Sequence, residues 1–189
     1  TCIVASIVFA GISCNDGRET SGGNDRTTIR DSMDSNNTDT TTAANTGAQN
    51  GDSKLVSELI ESMYGGIALM QQGQEKAITP AVKSLAKKLE TAHTALTNDL
   101  KDLVAKKGWT LPSGESADDI KTRTDMADDE AAEYEKEWLK ALEDRHETNI
   151  KKLENANTQD ADLQALSAKG LPKLKELLSS IEAVQKGLK

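Results

Sequence analysis

The chain has 189 residues, enough for one domain of ordinary size and a tail. Its formal charge of −8 and pI of about 4.9 argue against binding to nucleic-acid phosphates, and no local basic patch offsets that charge. Aromatic residues make up only 3% of the chain, so the core must be built mainly from aliphatic side chains. That composition favours helices over strands, and we expect an all-α protein without a nucleic-acid partner.

Residues 3–13 form an apolar run that is too short to span a bilayer as a helix. We interpret residues 1–13 as a truncated secretory or lipoprotein signal. The tetrapeptide Gly11–Cys14 looks like a bacterial lipobox, which predicts lipidation of Cys14. The alternative is a plain secretory signal that leaves Cys14 incidental. Cys2 would leave with the signal, so the mature chain would hold no thiol pair for a disulfide or a metal.

Residues 14–53 are dominated by Ser, Thr, Asn, Asp and Gly. Such a segment cannot bury enough apolar surface to offset the entropy of ordering it, so we predict a disordered linker. A flexible coil of this length reaches about 35 Å, which would hold a domain clear of a membrane surface. The predicted partner at this end is a membrane, bound through the lipid on Cys14.

From residue 54 to 189 the apolar residues recur at steps of three or four, which predicts a helical domain. Four amphipathic helices are expected: near residues 54–74, 80–107 and 124–155, with the last one starting near residue 157. Because the loops between them are short, we predict an antiparallel four-helix bundle.

The second of these helices is the best defined. Pro80 suits a first helical position, and Gly108 suits the residue just past the end. His93 lies within its apolar stripe. The stripe consists of Val82, Leu85, Leu89, Ala92, Leu96, Leu100 and Leu103.

Other signals mark the remaining elements. Gly65–Gly66 weakens the first helix but would let a neighbouring element come close. Ser116 can cap a short helix through Asp119. Residues 170–172, which contain Gly170 and Pro172, predict a kink or restart in the last helix.

Three segments resemble a family of bacterial envelope proteins known as domain-of-unknown-function family 4142. Residues 75–112 resemble its long second helix and place His93 at the family's histidine. Residues 134–138, Tyr-Glu-Lys-Glu-Trp, resemble its Phe-Asp-x-x-Tyr motif, and His146 follows eight residues later as in the family. Residues 171–174 resemble its Leu-Pro-x-Leu motif.

The resemblance implies a ferritin-like bundle in the bacterial cell envelope, as an outer-membrane or periplasmic protein. It brings no established activity. The chain departs from the family at Leu177, where a histidine is frequent, and near Gly66, where a glutamate occurs.

Two Glu-x-x-His pairs, Glu90–His93 and Glu143–His146, match the spacing that di-iron bundles use. Glu135 also points into the apolar stripe of its helix. If iron or another divalent metal binds, these five residues are the predicted ligands. The alternative is that the histidines and Glu135 are structural, with no cofactor and an unidentified envelope protein as a further partner. We expect the two histidine-bearing helices to be neighbours or diagonal partners. Antiparallel packing would then place the histidines in the interior or at its border, at heights that differ by about two turns at most.

The sequence therefore predicts an envelope lipoprotein with a structural, stress-related or partner-binding helical module. The sequence favours a non-enzymatic role. The alternative is a ferritin-like metal-binding or redox protein.

Overall fold

A computed structural model describes the backbone of residues 46–188 and the side chains of residues 51–188. This part of the chain is all-α, as predicted, and contains no strand. The predicted signal, Cys14 and most of the linker lie outside the described residues. The helices are α1 (Thr46–Lys76), α2 (Pro80–Lys107), α3 (Ala117–Asp125), α4 (Ala131–Glu154) and α5 (Ala161–Gly187), with a short 3-10 turn at Met126–Asp128.

Helix α2 has the bounds predicted from its sequence. Thr79 is extended, and Pro80 opens the first turn, where its missing N–H costs nothing. Gly108 ends the helix with a φ of 66°, a left-handed conformation that favours glycine.

Helix α1 begins at Thr46 rather than at Lys54, so residues 46–53 are helical and the prediction of linker there is wrong. A distant contact stabilises this first part of the helix. The Thr158 hydroxyl donates a hydrogen bond of 2.7 Å to the carboxylate of Asp52, and both residues are buried. Local composition carries no sign of this partner.

The short helix α3 is capped as predicted, because the Ser116 hydroxyl accepts the N–H of Asp119. The next long helix, α4, starts at Ala131 and not near residue 124. The acidic residues predicted for its first turn lie instead around the 3-10 turn, whose Met126 is buried.

Helix α5 starts at Ala161, where the Asp160 carboxylate accepts two backbone N–H groups. It continues through Gly170 and Pro172 to Gly187, so the helix does not restart there, and a kink at Pro172 stays a prediction. Leu174 and Leu177 continue the buried face beyond the proline, and their packing offsets the hydrogen bond that proline cannot donate.

Each of the four long helices has two long neighbours: α1 and α5 each pack against both α2 and α4. Neighbours run antiparallel. At one end Lys106 of α2 meets Asp162 of α5, and at the other Glu135 of α4 meets the backbone of Thr79 before α2. Helices α2 and α4 therefore start at the same end and run parallel, which corrects the expectation of antiparallel histidine-bearing helices. The four-helix-bundle and ferritin-like assignments stay predictions.

The interior holds two apolar clusters, one toward each end of the long helices. Buried polar side chains lie between the clusters. We call His93, Thr97, His146 and Asn149 the histidine layer; each is at most 2% exposed. No helix among the described residues is both long and apolar enough to cross a bilayer.

Candidate functional site in the histidine layer

His93 and His146 meet directly in the interior. Their Nε2 atoms are 3.0 Å apart, the ring centroids are 4.8 Å apart, and the rings are inclined at 63°. His93 lies 13 residues after Pro80 (93 − 80) and His146 lies 15 after Ala131 (146 − 131). Because α2 and α4 start at the same end, these offsets place both side chains about 20 Å along their helices. The predicted shared interior position is confirmed.

The hydrogen bonds of the pair define its tautomers. The Nδ1 atom of His146 lies 2.7 Å from the carbonyl oxygen of Leu142, which can only accept, so this nitrogen carries a proton. In a neutral ring the Nε2 of His146 is then an acceptor. His93 donates to it from Nε2, which leaves the Nδ1 of His93 as a lone pair. That Nδ1 is buried and has no hydrogen-bond partner among the described residues.

Burial keeps both imidazoles neutral. Desolvation lowers the pKa of His93 well below its usual value, and the neighbouring His146 and Arg145 lower it further. Desolvation likewise lowers the pKa of His146 to about 4, although its bond to the Leu142 carbonyl acts in the opposite direction. At neutral pH the layer therefore holds a hydrogen bond between two uncharged rings.

Helix α1 approaches the pair closely because it carries two glycines. A Cβ on Gly66 would lie 3.4 Å from the Nδ1 of His93 and 3.2 Å from the Cδ of Arg145. A Cβ on Gly65 would collide with the carboxylate of Asp119 on α3. Gly65–Gly66 thus allows a close approach, as predicted, to side chains of α2, α3 and α4.

Arg145, next to His146, links three helices. Its guanidinium forms an ion pair with Asp119 and donates a hydrogen bond of 2.8 Å to the carbonyl oxygen of Ser62. Asn149 contacts the same serine, because its side-chain amide donates a hydrogen bond of 3.0 Å to the Ser62 hydroxyl. These contacts join α1, α3 and α4 around the layer. Sequence reasoning missed Ser62 and identified Asp119 only through its cap, because spacing along one helix does not reveal partners on another.

The three predicted carboxylate ligands bind elsewhere. Glu90 accepts hydrogen bonds of 2.8 and 2.7 Å from Gln71 and Gln74 on α1. The bond from Gln74 is the main cause of a lowered pKa at Glu90. Glu143 accepts a hydrogen bond of 2.9 Å from Gln185 on α5.

Glu135 is buried, as its place in the stripe predicted, and binds the loop between α1 and α2. Its carboxylate accepts the N–H groups of Ile78 and Thr79 at 2.8 and 2.6 Å, and the Thr79 hydroxyl at 2.7 Å. Glu135 fixes the start of α4 against the start of α2.

Trp138 reinforces the contact between α1 and α4. Its indole N–H donates 2.8 Å to the carbonyl of Leu69, and a Cβ on Gly73 would lie 2.5 Å from the ring. Gly73 therefore leaves the space that the indole fills, a requirement that no motif in the sequence announces.

The five predicted metal ligands are thus only partly brought together: the histidines meet, and the carboxylates each bind another element. Within residues 51–188 no three His, Cys, Asp or Glu side chains are grouped so that they could hold a metal ion. What the layer provides is two imidazoles in contact and one unpaired lone pair that faces Gly66.

The family model described as "Domain of unknown function (DUF4142)" matches residues 37–184. The chain belongs to the DUF4142 family. The positions where the resemblance expects further polar residues are apolar in this DUF4142 domain: Gly66 lies against His93, and Leu177 is buried in an apolar cluster. No curated protein sequence matches the chain.

A solved structure is similar in fold. It is the crystal structure of a DUF305 fragment from Deinococcus radiodurans, with a TM-score of 0.65 and 10% sequence identity. The match covers 72% of this chain and 95% of that one. At this identity the similarity concerns the fold alone.

Proposed function

We propose that this DUF4142 protein is a membrane-tethered, non-enzymatic module of the bacterial cell envelope, with a structural, stress-related or partner-binding role. The proposal rests on the partners of the buried polar side chains, which are all parts of the protein itself. The buried His93 and His146 bind each other, and Glu135 binds the loop before α2. Side chains engaged in this way hold the helices in register and are not free to act on a substrate.

The contact pattern favours an antiparallel four-helix bundle as the architecture of this module. Each long helix has two long neighbours, and connected neighbours run in opposite directions. A bundle of this kind presents long polar faces, which suits a protein that binds other envelope components.

Tethering is proposed from the sequence alone. The apolar run of residues 3–13 and the lipobox-like Gly11–Cys14 precede a polar linker. A lipid on Cys14 would hold the helical domain near a membrane in the cell envelope. Metabolic labelling of the full precursor with a radiolabelled fatty acid should mark the wild type and not Cys14→Ser. Label retained by Cys14→Ser would refute lipidation at this residue.

One observation favours a second candidate, a ferritin-like metal-binding or redox protein. Two ligands with metal bonds of about 2.1 Å at a right angle are about 3.0 Å apart, which is the distance between the Nε2 atoms of His93 and His146. The carbonyl of Leu142 holds the other nitrogen of His146, as outer-shell partners hold metal-bound histidines. Iron or another divalent ion would bind there only if the hydrogen bond between the rings were replaced. The neighbouring Arg145 charge disfavours a cation.

A further inference from the structure

Residues 110–125 connect two apolar anchors. Before the segment, Trp109 packs against the apolar cluster that contains Leu103. After it, Met126 is buried in the other cluster. Every residue from 110 to 125 is exposed or half-buried, and α3 within it buries no side chain. The middle of the segment is therefore held by something other than apolar burial.

Polar contacts attach this segment to the long helices. Asp119 forms the ion pair with Arg145. The carbonyl oxygen of Arg123 accepts a hydrogen bond of 3.0 Å from Gln72 of α1. The ion pair between Glu115 and Arg123 lies inside the segment and does not attach it. Contacts of this type, at partly exposed positions, are those that local opening breaks first.

The segment lies against Gly65 of α1, whose neighbour Gly66 contacts the histidine layer. The carboxylate of Asp119 occupies the space that a side chain on Gly65 would need. The next residue, Gly66, has no side chain between it and the lone pair on the Nδ1 of His93. Movement of Asp119 away from α1 would therefore uncover Gly65 and remove one partner of Arg145, whose Cδ lies against Gly66 beside His93.

We propose that residues 110–125 form a strap that opens and closes over the Gly65–Gly66 face while α1, α2, α4 and α5 stay packed. Opening breaks the bonds of Asp119 and Arg123 to the long helices. It leaves both apolar clusters intact, since the strap contributes no buried side chain to either. When the strap is open, water and small solutes reach His93.

Hydrogen–deuterium exchange of the full chain tests the strap. In the wild type, amides of 110–125 should exchange faster than those of residues 174–181 in α5. Asp119→Asn should accelerate exchange in the strap on the order of tenfold and leave α5 unchanged, because it removes a charged hydrogen bond. Asp125→Asn is the matched control, since its ion pair with Lys121 lies within α3 and touches no other helix.

Diethylpyrocarbonate, which acylates neutral imidazole, gives a second readout. Asp119→Asn should raise the rate of His93 modification, and Asp125→Asn should not. The proposal is overturned if the wild-type strap exchanges as slowly as α5, if Asp119→Asn accelerates α5 equally, or if His93 reactivity does not change. Equal acceleration in α5 would mean that the strap unfolds only together with the whole domain.

Discussion

Acidification should destabilise this domain through its histidine layer before most carboxylates titrate. The pKa of His146 is about 4 in the fold against an ordinary value of 6.5, and the pKa of His93 is also lowered. Between about pH 4 and pH 6.5 the unfolded chain therefore binds a proton at His146 that the folded chain does not bind. The stabilisation is fully present above pH 6.5 and is lost as the pH falls toward the folded pKa.

The difference for His146 is 6.5 − 4 = 2.5 pKa units, which corresponds to about 3 kcal/mol. If unfolding takes up one proton, the free energy of unfolding should fall by about 1.4 kcal/mol per pH unit, and by about 2.7 if both histidines take one up. Domains are typically stable by about 5–15 kcal/mol, so the loss is a large share of the total.

The assay is urea unfolding of the full chain, followed by circular dichroism at pH values of about 7.5, 6.5, 5.5 and 4.8. The double variant His93→Gln/His146→Gln, which cannot take up these protons, is the control. We expect the slope of free energy against pH between about pH 6.5 and 5.5 to disappear in the variant. A wild-type free energy that stays constant between pH 6.5 and 5 would refute the assignment of two neutral buried rings.

Two further predictions concern packing and the buried carboxylate. Gly73→Ala should lower the unfolding free energy by about 2 kcal/mol, because the new methyl group collides with the buried Trp138. Gly51→Ala in the same helix meets nothing within 4 Å and should stabilise by about 1 kcal/mol; equal effects in chemical denaturation would contradict this reasoning. Glu135→Gln should cost about 1–3 kcal/mol through its loop contacts, whereas the exposed Glu137→Gln should change little; a thermal-unfolding comparison in which both behave alike would disprove the role of Glu135.

The sequence predicted those features that depend on one helix at a time. The bounds of α2 follow from Pro80 and Gly108, and the Ser116 cap follows from its spacing to Asp119. The inward positions of His93 and His146 follow from periodicity, because an apolar stripe identifies which side of a helix is buried.

Features that depend on two distant segments could not be predicted. The early start of α1 is supported by Asp52 and Thr158, which lie 106 residues apart in the chain. The partner of Glu135 is a loop backbone, and backbone groups carry no sequence signal. The parallel course of α2 and α4 depends on the path of residues 108–130, and an assumption of antiparallel helices gave the wrong direction.

We infer that His93 and His146 bind each other as a structural link and do not bind a metal ion. The most direct measurement is the metal content of the purified full chain after exposure to ferrous iron or zinc and desalting, by mass spectrometry. We expect a substoichiometric metal content that is the same in wild type and in His93→Gln/His146→Gln. Stoichiometric metal in the wild type that is lost in the double variant would contradict it and favour the ferritin-like candidate.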